Sequence, residues 1–311
     1  MTTSIWFWIA FHVGVFVALA VDLVSFKHRD RELSMRAAAR RSVLWVLISL
    51  CFNALVWHFK GPQHGLDFLT GYLIEYSLSA DNIFVFVLIF AHFRVPARAQ
   101  HRVLVWGIVG ALLMRGTMIW CGIALVQRFH FVLYLFGFFL LFTALRMLFG
   151  KHPPRDFAEG WVMRMCRRIF SITPEFHGED FRVRIDGRWM LTPLALTMIV
   201  IEVTDLIFAV DSIPAIFAIT RDPFIVYTSN ICAILGLRSL YFLLAGLMER
   251  FIYLRTGLAS VLGFVGIKMI LADHVHLPTG ISLVVIVVIL AVTITASMIV
   301  TRKRAAAINR K

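Results

Sequence analysis

The chain has 311 residues, 60% of them apolar and only 16% charged, with 31 basic against 18 acidic side chains and a formal charge of +13. An average soluble domain is about a quarter charged and under half apolar, so this composition excludes a disordered tail protein, a nucleic-acid-binding domain and an ordinary soluble enzyme of this size. It fits an all-α polytopic membrane protein, whose positive charge collects in the loops of one side.

A transmembrane helix needs about 20 mostly apolar residues. In chain order, nine stretches meet that need: 4–26, 42–59, 67–93, 103–126, 130–149, 191–219, 225–247, 252–271 and 280–300. The first starts next to Met1 without a basic n-region or a clear A-x-A site, so it reads as a span rather than a cleaved signal peptide. Asp22, near its inner end, reads as an interfacial polar residue or the lining of an entrance. Segments 27–41, 94–102, 150–190, 248–255 and 301–311 together carry 24 Lys and Arg, whereas the opposite loops carry only Lys60, Arg128 and Arg221. This bias predicts an outer N-terminus and an inner C-terminus, the parity of nine spans.

In the long loop, Trp161–Phe170 interleaves Arg164, Arg167 and Arg168 with apolar residues and reads as a basic interfacial helix for anionic lipids of the cytoplasmic leaflet. Phe181–Met190 alternates polar and apolar around Asp186-Gly187, which predicts a small hairpin. Asp273, His274 and His276 on an outer loop read as solvated residues with at most loose metal binding. The cysteines Cys51, Cys121, Cys166 and Cys232 form no C-x-x-C, and define neither a disulfide framework nor a zinc site.

The third and sixth spans read GYLIEYSLSADNIFVFVLIF and TMIVIEVTDLIFAVDSIPAIFAIT. Each places two carboxylates six residues apart, Glu75 with Asp81 and Asp205 with Asp211, and follows the second with a small polar residue, Asn82 or Ser212. The next span of each set carries an intramembrane arginine, Arg115 or Arg238, and the third aligns Arg146 with Lys268. Spans 3–5 and 6–8 therefore read as two copies of a three-helix unit. Three is odd, so the copies cross the membrane in opposite directions, an inverted repeat common in secondary transporters. The expected organisation is one membrane domain: two leading helices over 1–66, the first repeat over 67–149, the basic cytoplasmic loop over 150–190, the second repeat over 191–271, and a last helix with a basic tail over 280–311.

Six residues along a straight helix turn 600°, so Glu75 and Asp81 stand about 120° apart rather than stacked. Gathering every acid round one ion requires convergence of several helices or a break in these two, with Pro214 the candidate in the sixth span and Ser77 and Ser79 in the third. Glu202 adds a fifth acid one turn before Asp205. A carboxylate at bilayer depth costs a few kcal/mol even on lenient scales, roughly 2.5–3.5, so the default reading is an ion path or proton relay. Arg115 and Arg238 either neutralise the acids structurally or balance an empty site and yield when a cation enters. Carboxylate, amide and hydroxyl oxygens suit Mg²⁺, Ca²⁺ or Mn²⁺. Met198, one turn before Glu202, is a candidate soft ligand, though packing is the commoner role of such a methionine. One dication cannot neutralise several close carboxylates, so metal binding would release protons and metal–proton exchange is expected. No H-E-x-x-H or G-x-S-x-G is present, and no catalytic residue, enzymatic activity or permanently bound cofactor is expected.

The segments FLTGYLIEYSLSADNIFVFVLIF, QHRVLVWGIVGALLMRG, FVLYLFGFFLLFTALRM and EVTDLIFAVDSIPAIFAIT closely resemble the TerC/Alx family of bacterial integral membrane proteins, within the wider superfamily of LysE-type exporters. The resemblance implies a multi-pass protein of the bacterial inner membrane acting in manganese homeostasis, chiefly Mn²⁺ export, and an association with tellurium resistance; the oxygen ligands admit Ca²⁺ as a further cargo. It carries the family's acidic motif onto Glu75, Asp81 and Asn82 in the first copy and Glu202, Asp205, Asp211 and Ser212 in the second. Alternatives are a LysE-like exporter of amino acids or other organic solutes, with Arg115 or Arg238 accepting the anion, and a membrane scaffold recruiting tellurium-resistance or secretion partners through 150–190. Protons, homo-oligomer formation and other membrane partners complete the expectations.

Overall fold

A computed structural model describes residues 4–27, 35–129, 131–149, 161–185, 187–245, 252–272, 274–275 and 277–308. Its helices, in chain order, are α1 (Ile5–Lys27), α2 (Met35–Lys60), α3 (Pro62–His92), α4 (Ala97–Arg128), α5 (Val132–Phe149), α6 (Trp161–Ile169), α7 (Pro193–Phe217), α8 (Pro223–Leu235), α9 (Leu237–Ala245), α10 (Leu254–Ile270) and α11 (Thr279–Ile308). Strands β1 (Arg182–Ile185) and β2 (Arg188–Leu191) lie between α6 and α7.

The chain is an all-α polytopic membrane protein. Among the described residues α2, α3, α4, α5, α7 and α11 are long and apolar enough to cross a membrane. The pair α8 and α9, bent by 44°, makes a seventh if counted as one span. The apolar part of α1, Ile5–Val21, and the 17-residue α10 are shorter. Helices dominate because backbone N–H and C=O groups facing lipid have no water to bond and must be satisfied within the segment. Proline at the first turn opens α3, α7 and α8, where its missing N–H costs nothing. Thr192 and Asp222 cap α7 and α8, with Asp222 Oδ1 accepting from Phe224 N at 2.9 Å and Ile225 N at 3.4 Å.

Neither acidic helix is broken. α3 runs uninterrupted past Ser77 and Ser79, and α7 continues through Pro214 to Phe217. Pro214 falls in the last turn of α7, where losing one backbone bond ends the helix instead of bending its middle. The interruption lies in the next span, at Gly236 between α8 and α9.

Two close approaches set the packing around the acids. α5 and α10 meet at Gly137 and Gly266, where a Cβ added to Gly266 would stand 2.9 Å from the Gly137 carbonyl oxygen. α3 and α8 meet at Gly71, where an added Cβ would stand 2.9 Å from the Ser229 hydroxyl. At the ends of the spans, α6 buries Cys166 against Leu196 of α7, and β1 pairs antiparallel with β2, Val183 opposite Met190. The turn of that hairpin includes residue 186, outside the described residues, as are Asp273 and His276; nothing is described of the Asp22 side chain.

Candidate functional site

Arg115 lies near the middle of α4 with about 1% of its surface exposed. A guanidinium carries five donors in a planar fork and stays charged, so at this depth it requires acceptors. α7 and α3 supply them. Arg115 Nη2 donates to Asp205 Oδ1 at 3.1 Å and Nε to Asp205 Oδ2 at 3.3 Å, a forked pair. Its Nη1 donates to Glu75 Oε1, and Ser212 Oγ lies 3.4 Å from the same nitrogen. Glu75 is fully buried, and its Oε2 has no hydrogen-bond partner.

Glu202 sits beside this cluster. Its carboxylate rests on the α4 backbone at Gly110, where any Cβ would overlap both oxygens, so a glycine there makes room for the acid. A cavity of about 20 Å³ is walled by Glu202, Asp205, Arg115, Gly107, Phe86 and Ile234, among others. That volume suits a single water-sized particle. Glu202 Oε1 has no hydrogen-bond partner.

The remaining candidates separate from this cluster. Asp211 accepts a hydrogen bond from Thr143 Oγ1 of α5 at 3.1 Å, and Arg146 interacts with it electrostatically. Asp81, half-buried, has Arg255 of α10 as its electrostatic neighbour. Asn82 is buried. Arg238, as buried as Arg115, places Nη1 3.4 Å from His101 Nε2 on α4. Met198 packs half-buried against the apolar cluster containing Phe86, Val200 and Leu240. The five acids thus form two sets, Glu75, Asp205 and Glu202 around Arg115, and Asp81 and Asp211 facing α10 and α5. The 120° offset between residues six apart is the reason. Among the described residues no group of three or more His, Cys, Asp or Glu stands close enough together to hold a metal ion.

Two participants have little signal in the sequence. Thr143 is a lone hydroxyl in an apolar run, and only its partner Asp211 gives it meaning. Asn230 of α8 is fully buried with neither amide atom hydrogen-bonded. It lies four residues before Ile234, which walls the cavity, so it shares that residue's face of α8. An amide inside YTSNICAIL was the available clue.

Residues 60–305 match the integral membrane protein TerC family. The chain belongs to that family. Among its relatives, the "Uncharacterized membrane protein STKORF319" of Myxococcus xanthus is 48% identical over 95% of this chain and 92% of its own length. The protein named "Putative membrane-bound redox modulator Alx" in Salmonella typhi is 46% identical over 96% of this chain and 95% of its own. The Escherichia coli (strain K12) protein of the same name is 46% identical over 92% of each chain. No solved structure matches.

Proposed function

We propose that this chain is a bacterial inner-membrane exporter of a hard divalent cation, Mn²⁺, working by exchange with protons. The observation that carries the reading is a buried arginine joining carboxylates from α3 and α7 beside a cavity lined by a further acid. Packing alone gives an apolar bilayer protein little reason to keep three acids and an arginine there, because each charge is expensive to bury. A cluster in which one cation holds several acids is suited to swapping that cation for another. In this scheme Arg115 neutralises Glu75 and Asp205 in the empty site; an entering Mn²⁺ takes the carboxylates, with Glu202, Ser212 and the Asn230 amide as further oxygen donors. Asp81 with Asn82, and Asp211, form stations on the way to or from the centre, and Arg238 and Met198 frame the route. Ca²⁺ meets the same oxygen chemistry and is the natural competitor.

Proton exchange follows from charge. With Arg115 balancing Glu75 and Asp205, Glu202 is the acid of this set without a paired cation, so loading a dication displaces its proton, and acidifying the loading side weakens binding. A repeat of α3–α5 in α7–α10 is supported by reciprocal packing: α3 lies on α8 as α7 lies on α4, α3 touches α10 as α7 touches α5, and α5 pairs with α10; its inversion, nine spans and an outer N-terminus rest on the loop charges. The redox role in the name of the Alx relatives would require a thiol pair or a redox cofactor. The four cysteines here lie on four different helices, α2, α4, α6 and α8, and the buried acids around Arg115 are what favour cation transport. Any link to tellurium resistance is then indirect, since acidic helices do not attract an oxyanion.

The test is Mn²⁺ movement. Cells expressing the chain should hold less manganese than cells without it, and everted vesicles should accumulate Mn²⁺ while releasing protons. Glu75→Gln, Asp205→Asn and Glu202→Gln should each abolish accumulation in chains inserted at normal abundance. Unchanged cellular manganese on expression, or full transport by all three variants, would refute the reading.

A further inference from the structure

Arg115 gathers Glu75 and Asp205 beside Glu202, and a transported ion must also travel from that cluster to a face of the membrane. We infer that this route runs between α2, α3 and α9, and that the hydroxyls of Ser42, Ser79 and Ser239 line it as a hydrated constriction. The inference rests on the transport reading above and adds a path to it.

The register of the three helices supplies the argument. Along α2 and α3 the contacts pair Trp57 with Gly65, Phe52 with Phe68, Ser49 with Tyr72, and Trp45 with the ring of Tyr76 through their shared neighbour Gly236. Advances of three to four residues on α3 are matched by retreats of three to five on α2, the mean step of antiparallel neighbours. The next rung opposes Ser42 to Ser79. Along α3 and α8, Tyr72 interacts electrostatically with Cys232 and Tyr76 lies by Gly236; past the bend there, α9 packs on both α3 and α2, and its Ser239 is the hydroxyl one turn on from Gly236 as Ser79 is one turn on from Tyr76. Three serines from three helices thus fall at one level, one turn beyond Glu75 on the Glu75–Ser79 face of α3.

All three are buried, at 4%, 0% and 1% exposure, and none of their hydroxyls has a hydrogen-bond partner. That is unlike their neighbours. Ser49, Thr70, Ser77, Thr204 and Thr228 each donate to the carbonyl four residues back on their own helix, the usual refuge of a hydroxyl in an apolar helix. Buried polar groups are almost always partnered, and one left alone costs about 1–3 kcal/mol. Three at one level, none using its own backbone, are satisfied by guests passing between the helices. Water or a partly stripped cation, each accepting or offering contacts to hydroxyl oxygens, fits that place. The aromatic rung of Trp45 and Tyr76 lies immediately toward the acids and bounds the constriction on that side.

The experiment introduces Ser42→Cys, Ser79→Cys and Ser239→Cys singly into the otherwise unaltered chain, a near-isosteric change. Membrane vesicles of both orientations are treated with a positively charged methanethiosulfonate, and peptide mass mapping reads each position apart from the native cysteines. Ala259→Cys on α10, in fully buried packing, is the dry control, and Leu113→Cys, 71% exposed on the apolar surface of α4, is the lipid control. The three test positions should react at least tenfold faster than either control, and Mn²⁺ should slow them. Reaction no faster than Ala259→Cys at all three overturns the path, even where the chain exports Mn²⁺. Fast reaction in a chain that moves no Mn²⁺ upholds the hydrated path and refutes the cargo.

Discussion

Arg115 of α4 holds Asp205 of α7 through two donors, Nη2 at 3.1 Å and Nε at 3.3 Å, while its remaining Nη1 reaches Glu75 of α3. One side chain, about 1% exposed, therefore fastens three helices. Arg115→Ala leaves two buried carboxylates uncompensated and should destabilise the protein by about 3–5 kcal/mol, read as a marked fall in thermal unfolding temperature in detergent. Arg115→Lys keeps the charge and loses the fork, so it should fall between. Combining Arg115→Ala with Asp205→Asn and Glu75→Gln should recover much of the loss, because the stranded charges go with the arginine.

Glycines at two sites should respond differently to one added methyl. At Gly266 the neighbours are backbone atoms, Gly137 O at 2.9 Å and Leu141 N at 3.0 Å from an added Cβ. Gly266→Ala must push α5 and α10 apart, at a cost of about 1–3 kcal/mol for overpacking. At Gly110 the obstacle is the far end of the Glu202 side chain. Gly110→Ala should leave the unfolding temperature nearly unchanged and displace the Glu202 carboxylate, lowering Mn²⁺ flux. Equal loss of stability in both variants would contradict the placement of Glu202.

Thr143→Val is the corresponding probe of the second acidic set. It preserves shape and removes the donor to Asp211 Oδ1 at 3.1 Å. The lost bond should cost about 1.5–3 kcal/mol if Asp211 is charged and about 0.5–1.5 if it is neutral. Thr143→Ser, which restores the hydroxyl, should restore the stability.

Asp222 offers a test remote from the acids. Its Oδ1 caps α8, and its Oδ2 accepts from Lys60 Nζ at 2.7 Å. Asp222→Ala should cost about 0.5–2 kcal/mol for the cap, whereas Asp222→Asn should keep most of the cap and lose the ion pair. Neither should alter the affinity for Mn²⁺, which metal titration of purified protein would check.

The helices were readable from the sequence because apolar runs of membrane length leave the backbone few alternatives. The partners of the acids were only half readable. A six-residue spacing says that Glu75 and Asp81 diverge by 120°, but not which neighbour each meets; that depended on Arg115 reaching across to α3 and α7, and on α5 and α10 closing at Gly137 and Gly266. Pro214 suggested a bend in α7, yet a proline so near a helix end has little helix left to bend. The real interruption, at Gly236, carried no proline to announce it. Ser42, Ser79 and Ser239 were invisible as a set, since their alignment exists only once three registers are known.

Trp45 has a consequence for anyone wishing to trim the molecule. Its Cβ lies against Gly236, where α8 gives way to α9, and the family match begins only at residue 60. A truncation that starts with the matched region would remove that indole and leave the hinge only the Tyr76 ring of the two aromatic neighbours it has. The minimal working unit must therefore start upstream of Trp45, and the second helix belongs to the machine rather than to its packaging.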